Sequence, residues 1–347
     1  MRKPLAIALL LLTALATGCS SAPTAHHHQG LVKLPVGPPG TSASGILRLG
    51  FQIDVPDAAA VVGSQMGFFQ QDLGRVSLEA QPFTSAAPEL TALEDGQLDA
   101  AYLDPVSAVM AAQASHEGLR IVAGAALGGT ELVVRKTITK PSQLEGLKLT
   151  APGGIQQAAA DTWLHSNGLP ALTPAETAPS TDAGVMHEFT AGTIAGAWEP
   201  APLDAEMTSA GGRVLATTAS VWPASYPTVV LAVTGKYLAS HAAAVASLIK
   251  GQLQADTFLT ADPVSAHAAF QQKLAQTVNS ALPPAVLAAS FPQVIFTDNP
   301  KQPEVRAEVR QAIAAGLLRP VTDWTTLFDL TDLNTLLRSL GRKPISP

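Results

Sequence analysis

Cysteine is nearly absent from this chain. Its 347 residues include one, Cys19, so the chain forms no internal disulfide and offers no cysteine-based zinc site. Basic residues are also few: 21 Lys and Arg stand against 27 Asp and Glu, which gives a net charge of −6 and a pI near 5.7. Nucleic-acid binding needs a basic surface that neutralises phosphates, so this balance excludes it.

The chain also lacks an apolar run at its start that is long enough to cross a membrane. Residues 5–16 form a run of 12, whereas a spanning helix needs ~20. Arg2 and Lys3 precede this run, and small residues at 16–18 follow it. Together these features predict a secretory signal over residues 1–18.

Cys19 follows this signal directly. Residues 15–19 read Leu-Ala-Thr-Gly-Cys, which resembles the lipid-accepting box of bacterial lipoproteins. We therefore expect Cys19 to carry acyl chains such as palmitate and to anchor the protein at the extracytoplasmic face of the cell membrane, periplasmic or extracellular. The alternative is an ordinary signal with an incidental cysteine. Residues 19–45 are predicted to form a flexible tether.

No catalytic signature is found. The sequence has no Gly-x-Ser-x-Gly, no His-Glu-x-x-His, no phosphate-binding loop and no Gly-x-Gly-x-x-Gly after a strand. His26, His27 and His28 are adjacent, but they lie in the tether, where such a run is more often solvated than bound to metal. We therefore expect a protein that is not an enzyme and that uses neither a metal nor a cofactor.

Apolar residues, by contrast, are abundant. Hydrophobic residues make up 47% of the chain, and 347 residues exceed the ~250 to 300 that one core usually serves, so two lobes are expected. Strand-like and helix-like segments alternate over residues 46–123 and again over 147–233, which predicts an α/β fold with a mostly parallel sheet flanked by helices in each lobe. Residues 242–340 are helical in pattern, which predicts a helical C-terminal part.

Six stretches, in order, resemble the solute-binding proteins of ABC importers in the aliphatic sulfonate, taurine and nitrate group, which are related to thiamine-precursor-binding proteins. The resemblance covers residues 46 to about 337. The stretches are 50–52 (Gly-Phe-Gln), 67–69 (Gly-Phe-Phe), 96–102 (Gly-Gln-Leu-Asp-Ala-Ala-Tyr), 122–136 (ending Leu-Val-Val-Arg-Lys), 197–202 (Ala-Trp-Glu-Pro-Ala-Pro) and 222–228 (with Trp-Pro and Tyr-Pro-Thr).

This resemblance implies a type II periplasmic-binding-protein fold. Residues 46–130 plus 228–347 would form lobe 1, residues 131–227 would form lobe 2, and the ligand would lie between them. The protein would capture a small organic solute, act as a monomer and deliver the solute to a membrane permease with a separate ATPase subunit. Two rivals remain open: an enzyme on the same scaffold that acts on a thiamine-pyrimidine-like compound, and a module that presents ligand to a membrane sensor.

Candidate ligand-binding residues come from strand ends, from glycines and from the matched stretches. Backbone N–H groups ahead of the helix at 156–166 should favour an anion, and Gln52 ends a predicted strand, where open α/β sheets bind ligands. Each candidate has a plainer structural alternative, such as a turn residue or core packing. The candidates are Gln52, Asp104, Leu127, Gly128, Gly129, Gly153, Gly154, Ile155, Gln156, Glu199 and Thr228.

Three of these positions depart from the pattern that the resemblance implies. Asp104 stands where the group usually has glycine, Leu127 replaces a serine, and Ile155 replaces a hydrogen-bonding residue. Asp104 would repel an anion, so an amine-bearing or neutral ligand competes with a sulfonate. Asp104 also precedes Pro105, and this order predicts that Asp104 caps the following helix.

Overall fold

The computed structural model describes residues 45–115, 118–178, 180–223 and 226–346. The predicted signal, Cys19 and tether residues 20–44 lie outside the described residues, and Gly45 is already the first residue of a strand. None of the described helices is both long and apolar enough to span a membrane.

Six strands form the first sheet, which belongs to lobe 1, in the order β10-β4-β9-β3-β1-β2. Its central strands are buried on both faces because helices cover both sides. The strands are β1 (Gly45–Gln52), β2 (Val76–Phe83), β3 (Ala100–Leu103), β4 (Leu119–Gly128), β9 (Pro227–Thr234) and β10 (Val294–Phe296).

Four strands form the second sheet, which belongs to lobe 2, in the order β6-β7-β5-β8. The chain enters this lobe through Gly128 and Gly129, between β4 and β5, and returns after β8 to begin β9. The strands are β5 (Thr130–Arg135), β6 (Leu149–Thr150), β7 (Gly196–Pro200) and β8 (Gly212–Thr217).

The prediction of mostly parallel sheets is wrong, because both sheets are mixed. β1 pairs in parallel with β2 and β3, and β6 pairs in parallel with β7, but β9 runs antiparallel to both β3 and β4. The crossover explains this direction. β9 begins at the edge of the first sheet where β4 ends, so it must run back along β4. In lobe 2, β5 is likewise antiparallel to β7 and β8.

The predicted helical C-terminal part is confirmed, with a single short strand, β10, inside it. Its longest helix packs on α1 and on the first sheet. The helices are α1 (Ala58–Gln65), α2 (Ala86–Glu94), α3 (Pro105–Ala114), α4 (Ile155–Ser166), α5 (Asp182–Ala191), α6 (Leu203–Ser209), α7 (Gly235–Ser240), α8 (Ala242–Ala261), α9 (Pro263–Val278), α10 (Pro284–Ser290), α11 (Gln302–Ala314) and α12 (Thr331–Ser339).

Candidate ligand-binding cleft

A cleft lies between the lobes, at the edge where strands of both sheets end or begin. Lobe 1 contributes residues that follow β1, β2 and β3 and the first residues of β9, and lobe 2 contributes the start of β5, the end of β7 and the starts of α4 and α5. The lining residues are Gln52, Asp54, Pro56, Asp57, Thr84, Ser85, Ala86, Asp104, Thr130, Thr150, Pro152, Gln156, Ala178, Ser180, Asp182, Val185, Glu199, Pro200, Thr228 and Val229.

Five of the eleven predicted ligand-binding residues meet in this cleft. They come from both lobes and from five separate stretches of the chain. The remaining six positions do not line it. The five residues are Gln52, Asp104, Gln156, Glu199 and Thr228.

Leu127, Gly128 and Gly129 line a second cavity, beside the crossovers. The two glycines have φ of +73° and +76°, a conformation that side chains other than glycine rarely adopt. A Cβ at Gly128 would lie 2.7 Å from the Gln293 carbonyl oxygen, so this glycine permits close packing of β4 against the segment before β10. Gly128 and Gly129 form the turn of the crossover and lie close to neighbouring backbone and side chains.

Asp104 joins two helix N-termini that belong to different lobes. Its Oδ1 accepts hydrogen bonds from the backbone N–H groups of Val106 at 2.9 Å and Ser107 at 3.0 Å, which caps α3 as the sequence predicts. The same oxygen accepts a third bond, at 3.0 Å, from the N–H of Ile155 at the start of α4. The lobe 2 helix that was expected to face an anionic ligand therefore already faces a carboxylate of lobe 1.

The close approach of α4 to Asp104 requires glycine at position 154. Its φ is +73°, and a Cβ there would lie 2.5 Å from Asp104 Oδ2 and 2.8 Å from Ser107 Oγ. The backbone thus approaches a side chain of the protein, where the sequence led us to expect a ligand. Gly153 is exposed, and a Cβ there would meet nothing within 4 Å, whereas Ile155 is buried in the core.

The carboxyl groups of the cleft are poorly solvated. Burial raises the pKa of Glu199 well above its usual value, and the charges at Asp182 and Asp204 raise it further. On the lobe 1 side, the Asp57 N–H donates to Asp54 Oδ1 at 2.8 Å, and burial raises the pKa of Asp54 to about 7. Burial followed by the Asp54 charge raises the pKa of Asp57 well above its usual value. Among these three carboxyls, Asp54 therefore holds its proton up to about neutral pH.

Two more buried carboxyls lie behind the lining. Glu89 on α2 is fully buried. Burial, followed by the charges at Asp54 and Asp104, raises its pKa well above the usual value. Asp204 on α6 is also fully buried, and burial raises its pKa to about 8, helped by the charge of Glu131.

Polar side chains also join the two crossover segments. The hydroxyls of Thr130 and Thr218 lie 2.7 Å apart, Thr218 Oγ1 donates to the Thr130 carbonyl at 3.0 Å, and Trp198 Nε1 donates to Thr130 Oγ1 at 3.1 Å. Trp198 is fully buried, so it packs in the core and does not stack on a ligand in the cleft. Thr228, at the start of β9, is 2% exposed, and no described residue forms a hydrogen bond with its hydroxyl.

The sequence reasoning missed most of the acidic lining. Asp54 and Asp57 come two and five residues after the end of β1, so the rule that ligands bind at strand ends could have found them. Asp182 gave no such signal, because an acidic residue in the first turn of a helix is common for its interaction with the helix dipole alone.

Solved structures share this fold. The nitrate-binding protein NrtA of Synechocystis PCC 6803 has a TM-score of 0.72 at 12% identity, over 86% of this chain and 89% of that one. The ligand-binding component of an ABC-type import system from Staphylococcus aureus, with zinc bound, has a TM-score of 0.69 at 15% identity, over 83% and 98%. These likenesses confirm the predicted two-lobe, type II binding-protein fold.

The alkanesulfonate-binding protein SsuA of Xanthomonas axonopodis pv. citri, bound to MOPS, has a TM-score of 0.66 at 20% identity, over 79% of this chain and 94% of that one. A comparison with curated proteins finds none that matches this chain in sequence. The model of the NMT1-like family matches residues 41–279, well over half of the sequence. This chain is a member of the NMT1-like family.

Proposed function

We propose that this protein is the solute-binding component of an ABC importer. The observation that carries the proposal is a polar cleft between two lobes, which two crossover segments connect. The structurally similar proteins are named as binding components for import, for alkanesulfonates and for nitrate, which supports the same role here.

Ligand capture would work by closing the lobes on the solute. The residues of both crossovers are held by the Thr130–Thr218 contact and by Trp222, which stacks on Tyr226 with ring centroids 6.1 Å apart and donates to Gln311 of α11. Rotation about these packed segments would bring Glu199 and Gln156 of lobe 2 toward Gln52 of lobe 1. A permease can then distinguish the closed, loaded shape from the open one.

Anchoring through Cys19 and partnership with a permease and a separate ATPase subunit are parts of this proposal. Acyl chains on Cys19 would keep the protein beside the permease at the extracytoplasmic face, because each buried CH₂ contributes about 0.8 kcal/mol to membrane association. The Cys19→Ala variant should fold normally and leave the membrane fraction. Retention of this variant in the membrane fraction would contradict the anchor.

We also propose binding without catalysis. An enzyme on this scaffold that used a cysteine nucleophile, or a histidine or lysine base, would need that residue beside the solute, and the described residues that line the cleft include no cysteine, histidine or lysine. Of the carboxyls in the lining, Asp104 is held in place by its helix-capping bonds. Sulfonates, taurine and nitrate remain the solutes that the sequence resemblance suggests, with amine-bearing or neutral compounds as the alternative.

Uptake by cells tests this function. Deletion of the gene should abolish uptake of the solute whose binding raises the melting temperature of the purified protein, and the wild-type gene should restore it. Gln156→Ala should lose binding and uptake together, because Gln156 lines the cleft, whereas the matched Gln97→Ala, at an exposed position outside it, should keep both. Unchanged uptake in the deletion strain would contradict the proposal.

A further inference from the structure

The lining of the cleft is acidic and has no opposite charge. Five carboxyl side chains line it, from both lobes, and the lining among the described residues includes no Lys, Arg or His. When ionised, these groups would repel an anion, and the low dielectric of a closed cleft would strengthen that repulsion. The five residues are Asp54, Asp57, Asp104, Asp182 and Glu199.

The helix N-terminus at which an anion would bind is already occupied by a carboxylate of the protein. The N-terminus of a helix attracts anions through its free N–H groups and its dipole. At the start of α4, the Ile155 N–H donates to Asp104 Oδ1, a carboxylate that is 6% exposed. The protein thus supplies its own anion at this place, and a sulfonate or nitrate would have to displace it.

Two buried polar side chains of the lining have no hydrogen-bond partner among the described residues. Glu199 is 4% exposed, and no described residue donates a hydrogen bond to its carboxylate. Thr228 is 2% exposed, and no residue in the described part of the chain pairs with its hydroxyl. Buried polar groups are nearly always paired, so two such groups facing one cleft indicate a ligand that completes them. A carboxylate accepts hydrogen bonds, so that ligand must donate them.

The arrangement also distinguishes between kinds of cation. Among the described residues, no group of three or more His, Cys, Asp and Glu is placed to hold a metal ion, so the acidic lining does not form a metal site. Quaternary ammonium groups are held by aromatic cages. No aromatic side chain is found among the described residues of the lining. The indole N–H of Trp198 donates to Thr130 Oγ1.

We propose that the solute is a small organic cation with N–H donors, carrying a primary ammonium, amidinium or guanidinium group. The group would lie between Glu199 and Asp182 of lobe 2 and Asp54 and Asp57 of lobe 1, with the Thr228 hydroxyl as a further partner. This inference rests on the proposed function, because it names the class of solute that the importer would carry.

The test uses four probes at millimolar concentration with the purified protein: putrescine, agmatine, choline and butane-1-sulfonate. Binding of a ligand to the folded state raises the melting temperature. Putrescine or agmatine should raise it, and choline and butane-1-sulfonate should not. Glu199→Gln and Asp182→Asn should each weaken that binding about ten- to hundredfold, as expected for losing a hydrogen bond to a charged group.

Glu94→Gln is the matched control, because Glu94 is an exposed acidic residue on α2, outside the cleft. This variant should bind putrescine and agmatine as tightly as the wild type does. Asp182 is itself exposed, so its variant should fold even if Glu199→Gln does not.

Several results would overturn the inference. They are binding of butane-1-sulfonate in place of the amines, a response to neither putrescine nor agmatine, and equal binding of choline and putrescine. Binding of the sulfonate alone would leave the proposed function standing, since a solute would still be captured. Normal solute uptake in the deletion strain would remove the proposed function instead.

Discussion

An aspartate stands at each end of strand β3, and the two have different kinds of hydrogen-bond partner. Asp99, just before the strand, is paired with Arg48 through two side-chain bonds, Nε to Oδ2 at 2.9 Å and Nη2 to Oδ1 at 2.7 Å. Asp104, just after the strand, is bonded to uncharged backbone N–H groups. The protein thus pairs the carboxylate at the end away from the cleft with a cation, whereas at the cleft end backbone N–H groups of two helices stabilise the carboxylate.

Other carboxylates outside the cleft are also paired with cationic side chains. Lys250 pairs with Asp72 at 2.8 Å and Arg342 with Asp298 at 2.6 Å, all outside the cleft. The carboxyls in and behind the cleft have raised pKa values, mainly because burial is not offset by a cation. Ion pairs of this kind stabilise the scaffold modestly, whereas the unpaired acids reduce its stability when they ionise.

The largest predicted effect is therefore a loss of stability as pH rises. Asp204 has a pKa of about 8 in the folded protein against an ordinary value of 3.8, so between about pH 4 and pH 8 the folded state holds a proton that the unfolded chain has released. The free energy of unfolding should fall through this window, by on the order of several kcal/mol for the acidic cluster as a whole.

Denaturant unfolding of the ligand-free protein at a series of pH values measures this loss. Asp204→Asn should flatten the decline, and Glu94→Gln should not change it. Stability that stays constant or rises across the window would show that the cleft acids are neutralised by groups of the protein.

The next largest effect concerns Gly154. Gly154→Ala should lower the free energy of unfolding by about 2 to 3 kcal/mol, because the residue has a φ of +73° and its new Cβ would meet the Asp104 carboxylate. Gly153→Ala, one residue earlier at an open position, should cost far less. Equal melting temperatures for the two variants would mean that the α4 N-terminus does not hold Asp104 closely.

Removal of the internal carboxylate should expose the anion position. Asp104→Ala should destabilise the protein by about 2 kcal/mol, since two helices lose their cap, and Asp104→Asn should cost less because its amide oxygen still accepts. If the variant folds, butane-1-sulfonate should raise the melting temperature of Asp104→Ala more than that of the wild type. No difference between the two would show that Asp104 does not occupy the site of an anion.

The smallest effect is expected at the opposite end of β3. Arg48→Ala should cost about 1 kcal/mol, because the pair with Asp99 is partly exposed to solvent. Its affinity for the solute should equal that of the wild type in a calorimetric titration. A clear change in affinity would mean that the charge at this end of the strand also reaches the cleft.

Local patterns predicted most strands and helices within a few residues, because buried strands and amphipathic helices leave a periodic signal. The elements that were missed are β5, α6, α7 and β10. Three of them are short, with six, seven and three residues in α7, α6 and β10, and so carry little periodicity. Strand direction was predicted wrongly because it depends on β9, which returns from lobe 2 to insert between β3 and β4.

The cleft was predictable where its residues lie at the carboxyl ends of strands, as for Gln52 and Glu199. The decisive contact was not, since Asp104 and Ile155 are 51 residues apart and belong to different lobes. The sequence predicted separately that Asp104 caps α3 and that the α4 N-terminus faces an anion. The two roles are filled by one carboxylate, and only the arrangement of the lobes shows it.

The most direct test of an unneutralised acidic cleft is the proton balance of binding. Calorimetric titration of putrescine at pH 7, in two buffers of different ionisation enthalpy, counts the protons exchanged. The carboxyls of the cleft should release protons when putrescine binds, because a bound cation stabilises their ionised form and lowers their pKa values. Uptake of protons on binding of butane-1-sulfonate, with no binding of putrescine, would contradict it.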